Sequence, residues 1–336
     1  MAQLPIYLTL VDKEKAFKQS ENFKINSAKE FDSWYKQISN TQNLAKKNLF
    51  GDDLNENEVN VYRHYPYIFR GVGDAKFKTY SSAQRLWVIN NMNEWAKKEY
   101  LEFIQDFIDK AGKLPLLDKV FKYYKLVPRQ RDFPIMSILQ HYGAPTPLID
   151  WTYNIDVSLY FATEYCTPVT SANEIDQYFS INFINRDNQY SKEFQNIFQF
   201  HQGHFPMLKS FHNSTEETNS IIYLSDFENV IFKKDLKGFQ DQRPLTILFN
   251  QRIIPQEGLF IFNPSSNIPL EDCINLNSKY QRSNLNKMYC VNIHKDLSDY
   301  IRRKINTQDI DKGFIYPDLE KSAEAIKQSV LNDLVG

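Results

Sequence analysis

The chain is poor in glycine and has almost no net charge. Ten of its 336 residues are glycine, against 20 tyrosines and 25 phenylalanines, which indicates broad burial of aromatic rings and few glycine-dependent turns. The formal net charge is −1, so no overall attraction to nucleic acid or to a membrane surface is expected. Hydrophobic residues make up 42% of the chain, which is enough for a real core.

Cysteines are scarce and apolar runs are short. Cys166, Cys273 and Cys290 are far apart and lack the spacing of a metal site, so we expect free buried thiols in a reducing compartment. No run approaches the roughly 20 apolar residues that cross a bilayer. The apolar start at Met1–Val11 is too short and too interrupted by proline for a signal peptide. We therefore expect a cytoplasmic protein with no membrane partner.

The sequence also lacks the motifs of several common sites. Neither Gly-x-Gly-x-x-Gly nor a Walker loop occurs, which argues against a Rossmann or P-loop nucleotide site. His201, His204 and His212 cluster in a polar region without the helical spacing of zinc hydrolases, so no metal is expected. Ser137 and Ser158 lack the sharp turn around a serine nucleophile, so a serine hydrolase is poorly supported.

Helices are predicted mainly early in the chain and strands mainly late, which indicates an α+β fold. Ser27 and Glu30 fit a capping box at the start of a helix. Residues 1–60 are assigned to an N-terminal extension and helix packed on the core, and residues 61–336 to one domain with an insertion around 186–244. Further helices are predicted at Glu94–Asp109, Leu116–Leu126, Phe133–His141, Val157–Tyr165, Ser191–Phe198 and Leu319–Leu334, and strands at Tyr67–Gly71, Leu148–Ile149, Tyr178–Ile184, Ile221–Leu224, Leu245–Phe249, Gly258–Phe262 and Met288–Ile293.

The densest group of polar residues lies between two apolar runs, in Leu139–Ala162. A glycine ends one helix there, and two prolines force an extended turn before a short buried strand. His141, Asp150 and Thr152 are therefore expected on connections between rigid elements, where sites are commonly built. A His–Asp pair would suit a general base. The structural alternative is that Asp150 or Thr152 caps the following helix.

Polar groups at two other strand ends are candidates for the same site. Arg70 ends an apolar strand beside Gly71, where a fixed guanidinium can bind phosphate, although a surface ion pair is the alternative. Gln256 and Glu257 precede an apolar strand, where an amide or carboxylate could hold a sugar hydroxyl; a plain turn is the alternative, and which of the two faces a site is open. Lys119–Arg131, with its two tyrosines, is the best candidate for a polyanion-binding strip.

Ordered blocks along the chain resemble the FRG domain family, which takes its name from a Phe-Arg-Gly motif. The resemblance runs from about Ser27 to the C-terminus. Two positions depart from the pattern, since the family usually has an arginine at Pro147 and commonly a glutamine at Val72. The matching blocks are Phe69-Arg70-Gly71, residues 140–146 (Gln-His-Tyr-Gly-Ala-Pro-Thr), residues 148–152 (Leu-Ile-Asp-Trp-Thr), residues 159–162 (Leu-Tyr-Phe-Ala), Arg252 with Gln256 and residues 258–260, and residues 313–319 (Gly-Phe-Ile-Tyr-Pro-Asp-Leu).

The order of these blocks is also similar to that of ADP-ribosyltransferases, enzymes that split NAD. The similarity implies a mixed β-sheet core of that kind, NAD as substrate and no metal. Arg70 would hold a phosphate or the nicotinamide ribose, and Gln256 or Glu257 would stabilise the positive charge that develops on the ribose as nicotinamide leaves. The implied NAD-binding residues are Arg70, Gly71, His141, Tyr142, Trp151 and Thr152, and the implied catalytic residues are Arg70, His141, Asp150, Thr152, Gln256 and Glu257.

Three functions are compatible with these observations. The first is an NAD-dependent ADP-ribosyltransferase, acting as a bacterial toxin or anti-phage effector on nucleic acid or protein, with an antitoxin or another defence protein as partner. The second is a non-catalytic nucleotide or nucleic-acid binding module of the same fold. The third is a hydrolase or nuclease that uses His141 and Asp150.

Overall fold

A computed structural model describes most of the chain. The described residues are 2–17, 23–50, 65–123, 131–166, 169, 172–186, 198–200, 221–224, 251–275, 288–317 and 327. Within these ranges, none of the helices has both the length and the apolar character that a membrane span requires.

An eight-stranded mixed sheet forms the centre of the fold. The strands are β1 (Lys24–Ile25), β2 (Tyr67–Val72), β3 (Leu148–Thr152), β4 (Tyr178–Asn185), β5 (Phe198–Phe200), β6 (Ile221–Leu224), β7 (Gly258–Phe262) and β8 (Met288–His294). Their order across the sheet is β1-β8-β4-β2-β3-β7-β6-β5. The outer pairs β1–β8 and β5–β6 are parallel, whereas the pairs between them are antiparallel.

Helices pack on this sheet, so the predicted α+β fold is confirmed. They are α1 (Leu10–Phe17), α2 (Ala28–Phe50), α3 (Ser82–Ile89), α4 (Met92–Trp95), α5 (Tyr100–Gly112), α6 (Pro115–Tyr123), α7 (Asp132–His141), α8 (Ile155–Glu164), α9 (Leu270–Asn275), α10 (Ser298–Asn306) and α11 (Lys312–Ile315). Short 3₁₀ turns occupy Glu174–Gln177, Gln251–Ile253 and Lys295–Leu297.

The core forms on both faces of the sheet because neighbouring strand residues point to opposite sides. In β2, Phe69 belongs to a cluster with residues of α2, α8 and α10. Its neighbour Ile68 belongs to another cluster, with Trp151 of β3 and residues of α1 and α9. A third cluster joins α3, α5, α6 and α7 to Leu148 of β3 and Phe260 of β7. The sheet is therefore rigidly held around β2 and β3.

Several predicted boundaries differ from the structure. The helix predicted at Glu94–Asp109 is two helices, α4 and α5, because Glu99 and Glu102 form a new capping box that starts α5. Asp150 and Trp151 were placed after the predicted strand, yet they lie within β3, since β7 pairs with them. The capping box of Ser27 at the start of α2 is present, with its hydroxyl accepting from the Glu30 N–H at 3.3 Å.

Some predicted elements lie outside the described residues. These are the strand at Leu245–Phe249, the helix at Leu319–Leu334 except Lys327, and the helix at Ser191–Phe198 except Phe198, which starts β5. Apart from Arg186, the described part of the predicted insertion consists of the two strands β5 and β6 at one sheet edge. The sequence patterns missed the two-residue strand β1 and five helices, each of nine residues or fewer: α1, α3, α9, α10 and α11. The boundary at residue 60 stays a prediction.

Candidate functional site

A cavity opens where two central strands separate. Strand β2 pairs with β4 along its whole length, and β3 does the same with β7, but the register between β2 and β3 joins only Phe69 and Thr152. A cavity of about 720 Å³ lies beside this pair, between residues 70–73 and residues 150–152. That volume is within the range of small-molecule sites. Other segments complete the wall with Leu4, Phe77, Lys78, Thr79, Tyr80, Arg85, Gln140, His141, Ser158, Phe161, Tyr165, Arg252, Gln256 and Tyr316.

The wall of the cavity is basic. Among its described residues, Arg70, Lys78, Arg85 and Arg252 stand against a single carboxylate, that of Asp150. Burial lowers the pKa of the Arg70 guanidinium, and the negative charge of Asp150 opposes that shift. Arg85 also interacts with the charge of Asp150. Arg70 and Arg85 both remain charged, because a guanidinium is not deprotonated in proteins. An anionic ligand would therefore be attracted to the cavity.

Each residue of the Phe-Arg-Gly motif has a different neighbour. Phe69 is fully buried and packs in the core beneath α8. Arg70 donates from Nη1 to the Asp150 carbonyl oxygen at 2.6 Å, so its side chain joins β2 to β3 where their main chains part. Gly71 borders the cavity and also lies against α8, where a Cβ atom would be 2.0 Å from the Ser158 carbonyl oxygen. The glycine is therefore required by packing as well as placed beside the predicted NAD site.

The carboxylate of Asp150 is held by a neighbouring family block. Gln140 donates from Nε2 to Asp150 Oδ2 at 2.8 Å, and its amide oxygen accepts a hydrogen bond from the Thr146 hydroxyl. The Thr146 N–H in turn donates to the Ser82 hydroxyl at 2.9 Å. This series of hydrogen bonds fixes the Asp150 carboxylate at the edge of the cavity. Sequence reasoning missed Gln140 and Thr146 as positioning residues, although both belong to the quoted block 140–146.

Thr152 is buried and its hydroxyl is used within the protein. It donates to the Gln256 carbonyl oxygen at 2.6 Å and accepts from the Asn154 N–H at 2.9 Å. Asn154, two residues later, caps α8: its side-chain oxygen accepts from the Asp156 N–H at 2.9 Å. Both capping alternatives, Asp150 and Thr152, are therefore wrong. Asp150 is too early in the chain because β3 continues through it, and the Thr152 hydroxyl is committed to the 256 turn.

Replacement of the capping residue should destabilise the fold. We expect Asn154→Ala to lower the free energy of unfolding by roughly 1 kcal/mol, because the first N–H groups of α8 lose their acceptor. The substitution also removes the hydrogen bond that Asn154 Nδ2 donates to Glu257 Oε1 at 3.0 Å, which adds to the loss. Urea unfolding measures the change. Asn267, exposed in the loop after β7, provides the control Asn267→Ala. Equal stability of both variants would contradict the assignment of the cap.

The structure distinguishes between the two polar residues before β7. Gln256 lies on the cavity wall, and its Nε2 donates to the Ile315 carbonyl oxygen at 2.9 Å, which fixes the amide. Glu257 lies off the described wall, and its carboxylate accepts from Asn154 at the start of α8. Its main chain has a φ of 44°, which turns the two side chains apart. Of the two candidates, Gln256 is therefore the residue that faces the cavity, and Glu257 is not.

Most of the predicted site residues meet at this cavity, but two do not. Tyr142 is 74% exposed at the end of α7 and, like Glu257, lies off the described wall. Its ring contacts His141 edge-on, with 4.8 Å between the centroids. The predicted residues on the wall are Arg70, Gly71, His141, Asp150, Trp151, Thr152 and Gln256. Whether they bind NAD or catalyse a reaction stays a prediction.

Sequence reasoning also missed wall residues. Arg85 of α3 carries no local signal, whereas Tyr165 and Tyr316 lie beside or inside quoted family blocks. Two predicted features remain outside the site. In the Lys119–Arg131 strip, the described Lys122 pairs with Asp118 at 2.6 Å, and residues 124–130 lie outside the description. The residues His201, His204 and His212 also lie outside it.

Comparison with protein families identifies the segment that carries most of this wall. The family model of the FRG domain matches residues 65–170, a segment that includes β2, β3 and α8. The resemblance predicted from about Ser27 to the C-terminus is confirmed over these residues, and this part of the chain matches the FRG domain. Arg252, Gln256 and Tyr316 complete the cavity from beyond the matched segment. Neither the curated proteins nor the solved structures contain a match to the chain.

Proposed function

We propose that the chain binds NAD in this cavity and transfers its ADP-ribose to an acceptor. One observation carries the proposal: Arg70, Thr152 and Gln256, from three distant parts of the sequence, meet at one basic cavity. The family resemblance implies a role toward NAD for Arg70, for Thr152 and for either Gln256 or Glu257. Their proximity is what a dinucleotide site built from separate strands requires.

The chemistry of the wall suits the parts of NAD. The diphosphate carries negative charge, and the guanidinium groups of Arg70, Arg85 and Arg252 lie on the wall, with Arg70 able to donate two parallel hydrogen bonds. The fourth basic side chain, Lys78, pairs with Asp272 at 3.5 Å. Aromatic side chains such as Phe77, Tyr80 and Phe161 provide surfaces for the two ring systems. The Gln256 amide, fixed by its bond to Ile315, would lie near the ribose and stabilise its developing positive charge.

A non-catalytic nucleotide-binding module is the second candidate. It is favoured by the amide at position 256, because a neutral dipole stabilises a ribose cation less than a carboxylate does. The one described wall carboxylate, Asp150, is held by Gln140 and lies close to the charge of Arg70. The third function, a hydrolase or nuclease, has both His141 and Asp150 on the wall, but Asp150 Oδ2 accepts from Gln140.

The biological role belongs to the proposal as well. The acceptor would be nucleic acid or protein, and the setting a bacterial toxin or an anti-phage system with an antitoxin or another defence protein. These elements follow from the resemblance alone. The pairing of Lys122 with Asp118 reduces the charge that a polyanion would meet on the Lys119–Arg131 strip.

Nicotinamide release tests the proposal directly. We expect the purified chain to release labelled nicotinamide from NAD. The ADP-ribose should be transferred to an acceptor or, when water is the acceptor, released free into solution. Calorimetric titration with NAD gives the binding step separately. Binding without release would favour the non-catalytic module. No binding of NAD would contradict the proposal in both forms.

A further inference from the structure

A chain of hydroxyl groups leads from the cavity to a carboxylate behind its wall. Tyr165 and Tyr316 both line the cavity, and their hydroxyl oxygens are 3.1 Å apart. The Tyr316 hydroxyl is also 2.9 Å from Glu164 Oε2. The other oxygen of Glu164 accepts from Tyr160 at 3.1 Å. Neither the family blocks nor the proposed NAD contacts assign any role to this group.

The direction of these hydrogen bonds follows from the number of protons. A tyrosine hydroxyl has one proton, and an ionised carboxylate can only accept. The Tyr316 proton is therefore donated to Glu164, and the contact between the tyrosines must be a donation from Tyr165 to Tyr316. The Tyr165 oxygen keeps its lone pairs for a donor in the cavity. A proton that reaches Tyr165 from the cavity can therefore be passed along these hydroxyl groups to Glu164.

Tyr316, the middle member of this series of hydroxyl groups, is packed between neighbouring side chains. The Tyr316 ring contacts Phe161 edge-on with 6.3 Å between centroids, and the Arg252 guanidinium lies over it at 5.1 Å. Burial and the hydrogen bond that Tyr316 donates to Glu164 raise the pKa of Tyr316, so it stays protonated and able to donate. Tyr165, at the cavity end, is 60% exposed and accessible to an incoming group.

We propose that Tyr165, Tyr316 and Glu164 form a relay that removes the proton of the acceptor during transfer. The inference rests on the proposed function. An acceptor hydroxyl attacks C1′ of the ribose, and the bond from C1′ to the nicotinamide nitrogen breaks. The electron pair of that bond goes to nicotinamide, which leaves neutral. The acceptor proton goes to Tyr165, the Tyr165 proton to Tyr316 and the Tyr316 proton to Glu164.

The relay supplies what the rest of the wall lacks. The carboxylate of Asp150 already accepts from Gln140 Nε2 at 2.8 Å, so one of its two oxygens is occupied within the protein. Glu164 is half-buried, and its carboxylate accepts hydrogen bonds from the hydroxyl groups of Tyr160 and Tyr316. Tyr165 would be the catalytic residue that touches the acceptor, and Tyr316 and Glu164 would act through it.

Three conservative variants test the relay, with water as the acceptor and NAD as the probe. We expect Tyr165→Phe, Tyr316→Phe and Glu164→Gln each to lower kcat for nicotinamide release by about tenfold. This is less than the roughly 100- to 10,000-fold typical of general acid–base catalysis, because the base acts at a distance. The Kd for NAD and the melting temperature should be unchanged. The control is Tyr300→Phe, since Tyr300 donates to the carboxylate of Asp32 at 2.8 Å in the same way, away from the cavity.

A solvent deuterium isotope effect on kcat provides the readout that a structural role would not change. It should be present in the wild-type chain and in Tyr300→Phe, and it should be lost in Tyr165→Phe. Wild-type kcat in all three relay variants would overturn the relay and leave the proposed function standing. A wild-type chain that binds NAD but releases no nicotinamide would overturn both.

Discussion

Arg70→Ala is expected to weaken NAD binding by about 10- to 100-fold, since a charged hydrogen bond is worth roughly 1.5–3 kcal/mol. The guanidinium donates to the Asp150 carbonyl oxygen at 2.6 Å, which aims it across the gap between β2 and β3. Removal of the side chain takes away both a cation and the group that joins the two strands. Nicotinamide release should fall with binding, and calorimetry with NAD measures the loss.

Two further variants separate charge from geometry. Arg70→Lys keeps the charge but cannot make two parallel hydrogen bonds, so its affinity should lie between those of wild type and Arg70→Ala. Arg303 is exposed on α10 and donates to the Asp299 carbonyl oxygen, so Arg303→Ala should bind NAD like the wild type. If Arg70→Ala folds and binds NAD with unchanged affinity, the cavity is not the NAD site.

The meeting of Arg70, Thr152 and Gln256 could be anticipated because each lies in a block with strong local features. An arginine beside a glycine at a strand end, a strand leading into a helix, and a turn before an apolar strand are all visible along the chain. Such local features determine secondary structure, and the order of the family blocks indicates which of these strands lie next to each other. The sheet register of Phe69 with Thr152 and of Thr152 with Gly258 supplies that pairing.

The details at atomic scale could not be read from local sequence. Thr152 and Asn154 are both good capping residues, and only the bond from Thr152 to the 256 turn decides between them. Gln256 and Glu257 are equally placed before β7, and the positive φ of Glu257 separates their directions. Tyr316 meets Glu164 across 152 positions of sequence, a distance over which no periodic pattern carries information.

Gly71→Ala should cause the largest loss of stability of any single substitution considered. An added Cβ would lie 2.0 Å from the Ser158 carbonyl oxygen and 2.7 Å from the Ala162 nitrogen. These are main-chain atoms inside α8, which cannot rotate away as the tip of a flexible side chain can. Either β2 or the whole helix must move, so we expect a loss of about 3 kcal/mol or more in the free energy of unfolding.

Gly112→Ala is the matched control for this loss. There the added Cβ would meet only the Cδ1 atom of Ile135 at 3.3 Å, and Gly112 lies at the end of α5, so the change should stay within about 1 kcal/mol. Asn154 caps the start of α8, and Tyr165, which lines the cavity, follows its last residue. A shift of this helix would therefore also distort the cavity wall. NAD binding should therefore fail in Gly71→Ala even below its melting temperature. A stable Gly71→Ala chain that binds NAD normally would show that β2 and α8 are not packed as described.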